Sequence, residues 1–401
     1  MKRILSVFML VSSFVVAQAA PAHHFDHIVI VVQENRTPDN LFPTCNLPGA
    51  DVKYPPGIAT SIKVAGPAHT HSSFLLNANG HYNLNLGATN YVQYSDIPEY
   101  CAIASSYGFA NRMFQTNQGP STPAHQFLFS GTSQPSNGSE YFEAEIIAGG
   151  CIDNFLVWYI DPTGAESIKG SACLDPTTLS DLLESAGYTW RYYAINANSL
   201  WTAPTAISHI CVGPNAKKAK CTGPDWLTHV VDNPPQVLTD IANGDLADVV
   251  WVTPAGSYSD HPSNAGGGPT WVASIVNAVG QSQYWSNTAI LITWDDWGGF
   301  WDHVPPLVNK SGFCMSYCYG FRVPLLVVSA YTPKAYVDNG VHDFGGIVHF
   351  VESNFGLGSL HVADAYADNL SGFFKGSERT FKLIPVHTNI NTEDRSDPDD
   401  Y

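Results

Sequence analysis

Two β-branched apolar runs in this chain end abruptly in charged or amide groups. FDHIVIVVQ (25–33) runs into Glu34-Asn35-Arg36, and TAILITW (288–294) runs into Asp295-Asp296. Runs of this composition read as buried strands. Further strand-like runs at 188–194 (YTWRYYA), 246–253 (LADVVWVT) and 321–329 (FRVPLLVVS) alternate with helical spacing at 97–107, 179–187, 270–285 and 345–356. Gly187 is placed as a helix stop. This alternation predicts an α/β fold with a mostly parallel central sheet flanked by helices. Ligands of such sheets bind beyond the carboxyl ends of the strands. A third polar group, Asp260-His261, follows the 246–253 run, so all three groups belong on one rim.

Each group alone is more simply a helix cap or a solvated turn; three on one rim favour a site. Carboxylate and amide oxygens gathered there suit a hard or borderline divalent cation, whose identity the residues leave open. The stretch 117–125 (NQGPSTPAH) holds Ser121 and Thr122 between prolines, which excludes a helix interior and predicts a stiff segment. On an extended segment, neighbouring side chains face opposite ways, so one of the two hydroxyls faces the cation. A hydroxyl fixed beside a cation is a candidate nucleophile. The G-x-S-x-G signature is absent around Ser121, Ser130 and Ser133. The 15 histidines include His69 and His71 in PAHTHSSF and His303 in WGGFWDHVPP. A lone histidine is commonly structural, but near a developing negative charge it can donate a proton.

A formal charge of −17 argues against nucleic acid as a partner. An acidic chain can still act on a phosphate ester when a bound cation supplies positive charge. Lys2 and Arg3, the apolar residues 4–16 and Ala17-Gln18-Ala19 read as a signal peptide over 1–19, too short to span a bilayer comfortably. Residues 20–389 are expected to form one domain and the acidic 390–401 a flexible tail, with no integral membrane segment after cleavage. A secreted or periplasmic location and 8 cysteines predict long loops stapled by disulfides. Short separations favour Cys211–Cys221, within a loop insertion at 200–235, and Cys314–Cys318. A zinc site is the rival for Cys314 and Cys318, but no second Cys or His pair lies nearby.

Taken in order, these segments resemble the bacterial phosphoesterase family that holds phospholipases C and a branch of acid phosphatases, within the alkaline phosphatase superfamily. The resemblance runs from about residue 26 to 357 through HIVIVVQENRTPDNLF, PAHTHSSF, VQYSDIPEYCAIASSYGFANRMF, GPSTP, LSDLLESAGYTWRYYA, SDHPS and ITWDDWGGFWDHVPP. It implies an alkaline phosphatase-like fold. It also implies a divalent metal ion held by Glu34, Asn35, Asp295 and Asp296 with the Ser121 hydroxyl. Ser121 would form a phosphoserine intermediate, and His69, His261 and His303 would contact phosphoryl oxygens or protonate the leaving group. The substrate would be a phosphate ester, including phospholipid. Pro38, Asn40 and Phe344 depart from the family pattern, where Phe, His and His are common. The rival class is an exported, non-catalytic protein that binds phosphorylated ligands on the same fold. A sulfatase-like enzyme is disfavoured because the residues after Ser121 end in His125 where Arg is expected.

Overall fold

Strand β1, His27–Gln33, is the axis of the molecule: Ile28, Val29, Ile30, Val31 and Val32 are buried. Each such side chain contributes about 1.5–3 kcal/mol on leaving water. The computed structural model describes residues 24–141, 143–145, 150–152, 156–212, 220–263, 266–307, 319–391, 394 and 396. The expected signal peptide and the Cys314–Cys318 pair lie outside them. In chain order the remaining strands of the main sheet are β2 (Gly108–Ala110), β3 (Trp190–Tyr193), β4 (Val230–Val231), β5 (Val249–Val252), β6 (Thr288–Trp294), β7 (Leu325–Val328) and β8 (Tyr336–Asp338). Their order across the sheet is β4-β3-β5-β1-β6-β7-β2-β8. β1 pairs in parallel with both β5 and β6, Val31 facing Val252 on one side and Ile292 on the other. β7 runs antiparallel to both of its neighbours, so the sheet is mostly parallel with one reversed strand.

Helices flank the sheet. They include α1 (His71–Ala78), α2 (Pro98–Ser106), α3 (Ser121–Ser130), α4 (Leu179–Ala186), α5 (Gln236–Asn243), α6 (Gly268–Gly280) and α7 (Phe344–Phe355). α4 begins in a capping box between Thr178 and Asp181 and ends at Gly187, with φ +84°. α7 is capped by the Asp343 carboxylate, and Phe344 is fully buried. No helix among the described residues is long and apolar enough to cross a membrane.

Two readings of the sequence need correction. The segment after Pro120 is not extended: Ser121 opens α3, and Pro123 sits in its first turn, where a missing N–H does no harm. The 200–235 stretch is not merely a loop; it contains short helices Ser208–Cys211 and Pro224–His229 and strand β4. Of the tail expected at 390–401, residues 390, 391, 394 and 396 are described. The Ser396 carbonyl accepts from Gly256 at 2.8 Å, and the Ser257 hydroxyl donates to Asp394. Short polar side chains there match the polar backbone of a turn. Disulfides join Cys211–Cys221, as expected, and Cys45–Cys101 and Cys151–Cys173.

His342, just before α7, has its two ring nitrogens at 2.9 Å from Asp338 and 2.8 Å from Asp368. Burial works to lower its pKa, but the two carboxylates outweigh it and lift the value to about 9. A folded value above the unfolded one, about 6.5, stabilises fully below pH 6.5, and the benefit is lost as pH rises through 9. The stability gap between wild type and His342→Asn, measured by denaturant unfolding, is expected to shrink by about 3 kcal/mol between pH 6 and pH 10. A gap independent of pH contradicts this.

Candidate active site

The carboxyl ends of β1 and β6 lie side by side, so the residues that follow them meet. Asn35 adopts φ +59°, a left-handed conformation that Asn tolerates. Its backbone N–H donates to Asp295 Oδ1 at 2.8 Å. Gly298, at φ +63°, lets the chain after Asp296 pass this turn; a Cβ there would stand 2.3 Å from the Asn35 carbonyl oxygen. Arg36 pins the turn from below. Fully buried, it donates to the Asp260 carbonyl at 2.8 and 3.1 Å, the Ile62 carbonyl at 2.6 Å and Asn40 Oδ1 at 3.2 Å. Asn40, where the family pattern favours His, is thus a brace for Arg36. The Asp260 carboxylate accepts from Tyr100 at 2.7 Å and Trp294 at 2.9 Å, and burial pushes it up to about 6.

α3 contributes from the other side. Asn117 holds the preceding loop through the Gly119 and Pro120 carbonyls, at 2.9 and 3.1 Å. Ser121 Oγ donates to Asp296 Oδ2 at 3.0 Å. Asp296 also accepts from the Gly298 N–H at 2.7 Å and more weakly from Asn35 Nδ2. Burial, reinforced by Asp295, raises its pKa well above the usual carboxylate range. One helical turn beyond Ser121, His125 Nε2 lies 3.0 Å from Glu34 Oε1 and 3.9 Å from Asp295 Oδ2. Burial lowers this imidazole to about 4, against the pull of Asp295, so it is neutral at neutral pH.

Glu34, His125 and Asp295 each bring a ligand atom within 4.8 Å of the others. Asn35 Oδ1, Asp295 Oδ2 and His125 Nδ1 are buried without a hydrogen-bond partner. Two carboxylates and a neutral imidazole, with unpaired buried oxygens beside them, fit a divalent cation in both charge and chemistry.

His69 and His261 are half-buried, their rings 6.2 Å apart, and border this floor. His69 Nδ1 donates to the Pro67 carbonyl at 3.1 Å, which leaves Nε2 to accept from Asn35 Nδ2 at 2.8 Å. Burial lowers both imidazoles, His261 to about 4. Thus Glu34, Asn35, Ser121, Asp295, Asp296, His69 and His261 are brought together. His303 is not among them. Its ring nitrogens face Asp39 at 2.6 Å and Asp51 at 3.0 Å. Arg322 reaches that second cluster through Asp302, at 2.8 and 3.0 Å, and Asp39, at 3.3 Å. The residue that the sequence reading missed is His125. Its signal was the spacing of four from Ser121, which shares a face once the segment is helical.

A model described as the Phosphoesterase family matches residues 25–358. The chain is 24% identical to a non-hemolytic phospholipase C of Pseudomonas aeruginosa, over 87% of this chain and 57% of that protein. It is 23% identical to a hemolytic phospholipase C of the same organism, over 78% and 47%. The chain therefore spans about half the length of the curated relatives it matches. A crystal structure of a Vibrio parahaemolyticus protein in the alkaline phosphatase superfamily aligns with 11% identity and a TM-score of 0.42, over 87% of this chain and 70% of that one.

His125→Ala is expected to weaken divalent-cation binding by roughly 100-fold, read by calorimetric titration of chelated protein. Unchanged affinity removes His125 from the ligand set.

Proposed function

The chain belongs to the phosphoesterase family, and from that premise we propose that it is a metal-dependent hydrolase of phosphate esters. Its reaction passes through a phosphoserine at Ser121. The observation that carries this reading is the Ser121 hydroxyl, held on Asp296 at the first residue of α3 and beside the cluster of Glu34, His125 and Asp295. These three residues would hold the cation, with Asn35 and Asp296 next to them. When bound, a divalent cation supplies Lewis acidity to phosphoryl oxygens and lowers the barrier to hydroxyl deprotonation.

The protein's own groups account for the rest. Ser121 Oγ attacks phosphorus in line with the leaving group, and its proton passes along the existing hydrogen bond to Asp296. The P–O bond to the leaving alcohol breaks, and the alkoxide takes a proton from a water at the mouth lined by the neutral His69 and His261. The hydroxide so formed attacks the phosphoserine, the P–Oγ bond breaks to release the phosphorylated product, and Asp296 returns its proton to Ser121. The N-terminal end of α3 favours the negative phosphoryl group throughout. His303, engaged by Asp39 and Asp51, is left out of these steps.

The relatives named phospholipase C support phosphodiesters of phospholipids as the substrate class, with phosphomonoesters as the simpler alternative. Three disulfides among the described residues support export to a secreted or periplasmic setting. We keep residues 20–389 as one catalytic domain, since the buried apolar cluster draws on residues from Phe25 to Ile384.

Ser121→Ala is expected to raise the barrier by about 4 kcal/mol or more on p-nitrophenyl phosphate or phosphatidylcholine. Thr122→Ala should cost far less. Acid quench and peptide mapping should find phosphate on Ser121. Near-normal turnover of Ser121→Ala overturns the assignment, as does phosphate on Thr122. Ligand binding by the wild type without turnover of any phosphate ester would favour the non-catalytic binding protein.

A further inference from the structure

The chain carries 35 acidic residues, yet residues 52–95 contain no Asp or Glu and two lysines, Lys53 and Lys63. Seven of the fifteen large apolar side chains exposed among the described residues fall in this stretch, so the exposure is concentrated there. Ile58 is 70% exposed, Leu75 46%, Leu76 57% and Leu84 68%. The stretch is ordered: Ala59–Thr60 pairs with Tyr91–Val92, and the Trp301 N–H donates to the Ala88 carbonyl at 2.8 Å.

It is also built onto the active site. α1 begins two residues after His69. On its inner face, His71 Nδ1 lies 3.1 Å from the carbonyl of Gln118, three residues before Ser121. Phe74 packs edge-on against Trp297, next to Asp296, with ring centres 6.1 Å apart. Its outer face carries Leu75 and Leu76. Beyond α1, a cleft of about 610 Å³ opens between Pro56, Tyr82, Leu84 and Trp301. α1 therefore packs against the loops of the site on one face and exposes Leu75 and Leu76 on the other.

We propose that this surface seats on a zwitterionic phospholipid bilayer and brings the mouth bordered by His69 and His261 to the headgroups. The proposal rests on the phosphate-ester reading above and assigns the physical form of its substrate. Charge selects the bilayer type. A chain of net charge −17 is repelled by an anionic surface, and residues 52–95, free of carboxylates, offer exposed apolar side chains with two lysines. The same charge disfavours a second copy of the chain, because two bodies of net charge −17 repel each other.

The test uses the full chain carrying Ser121→Ala, so that lipid is not consumed, sedimented with sucrose-loaded vesicles. Binding is expected on phosphatidylcholine and weaker on phosphatidylglycerol. Leu75→Asp, Leu76→Asp and Leu84→Asp together should lower partitioning roughly ten-fold or more. With Ser121 restored, turnover of soluble p-nitrophenylphosphorylcholine should remain unchanged. Leu84→Asp alone, at the most exposed of the three leucines, should lower partitioning several-fold and covers the case in which the triple variant does not fold. Docking is overturned by absent wild-type binding, by variants that bind as well as the parent, by a preference for phosphatidylglycerol, or by a dimer that the substitutions dissolve. Docking without any soluble turnover would instead sink the phosphate-ester reading and leave the surface standing.

Discussion

Glu34, Asp295 and Asp296 place three carboxyl groups in a buried pocket, faced by hydrogen-bond donors and one neutral imidazole. Two like charges about 5 Å apart repel by about 3–4 kcal/mol at an effective dielectric of 20. Burial adds a desolvation cost for each ionised group. Without a cation the cluster relaxes the only way it can, by moving protons, and the raised pKa of Asp296 beside Asp295 expresses that. A divalent cation removes the conflict, and much of the surrounding architecture serves to hold the carboxylates where that conflict is greatest.

That architecture is stiff at two places. β1 is clamped between two parallel neighbours, so the positions of Glu34 and Asn35 are set by strand register relative to Asp295 and Asp296. Arg36 then locks the turn by giving its donors to backbone carbonyls and Asn40 rather than to the site carboxylates. Its charge stays buried beneath the floor and does not neutralise the pocket. The second acidic cluster makes a contrast: there Arg322 reaches Asp39 and Asp302 directly and offsets part of their charge.

Five of the eight strands were legible as apolar or aromatic runs, and the rim residues were legible because they interrupt those runs; β2, β4 and β8, of two or three residues each, were not. Glu34, Asn35, Asp295 and Asp296 needed no more than strand direction to be placed together. The α3 segment was misread because two prolines suggest extended chain, whereas a proline in a first turn costs a helix nothing; His125 was lost with it. His303 was beyond the reach of sequence, because only the fold shows that the loop after Trp301 turns toward Asp39 and Asp51. The reversed direction of β7 was equally hidden, since buried parallel and antiparallel strands share one composition. The pairings of Cys45 with Cys101 and Cys151 with Cys173 depend on long-range folding that spacing does not encode.

Thermal unfolding of chelated protein with and without added divalent cation tests the central claim most directly. The wild type should gain stability in proportion to the logarithm of free cation. Asp295→Asn should gain little from the cation. A wild-type melting temperature that ignores divalent cations, in protein shown metal-free beforehand, would contradict a cation site between Glu34, His125 and Asp295.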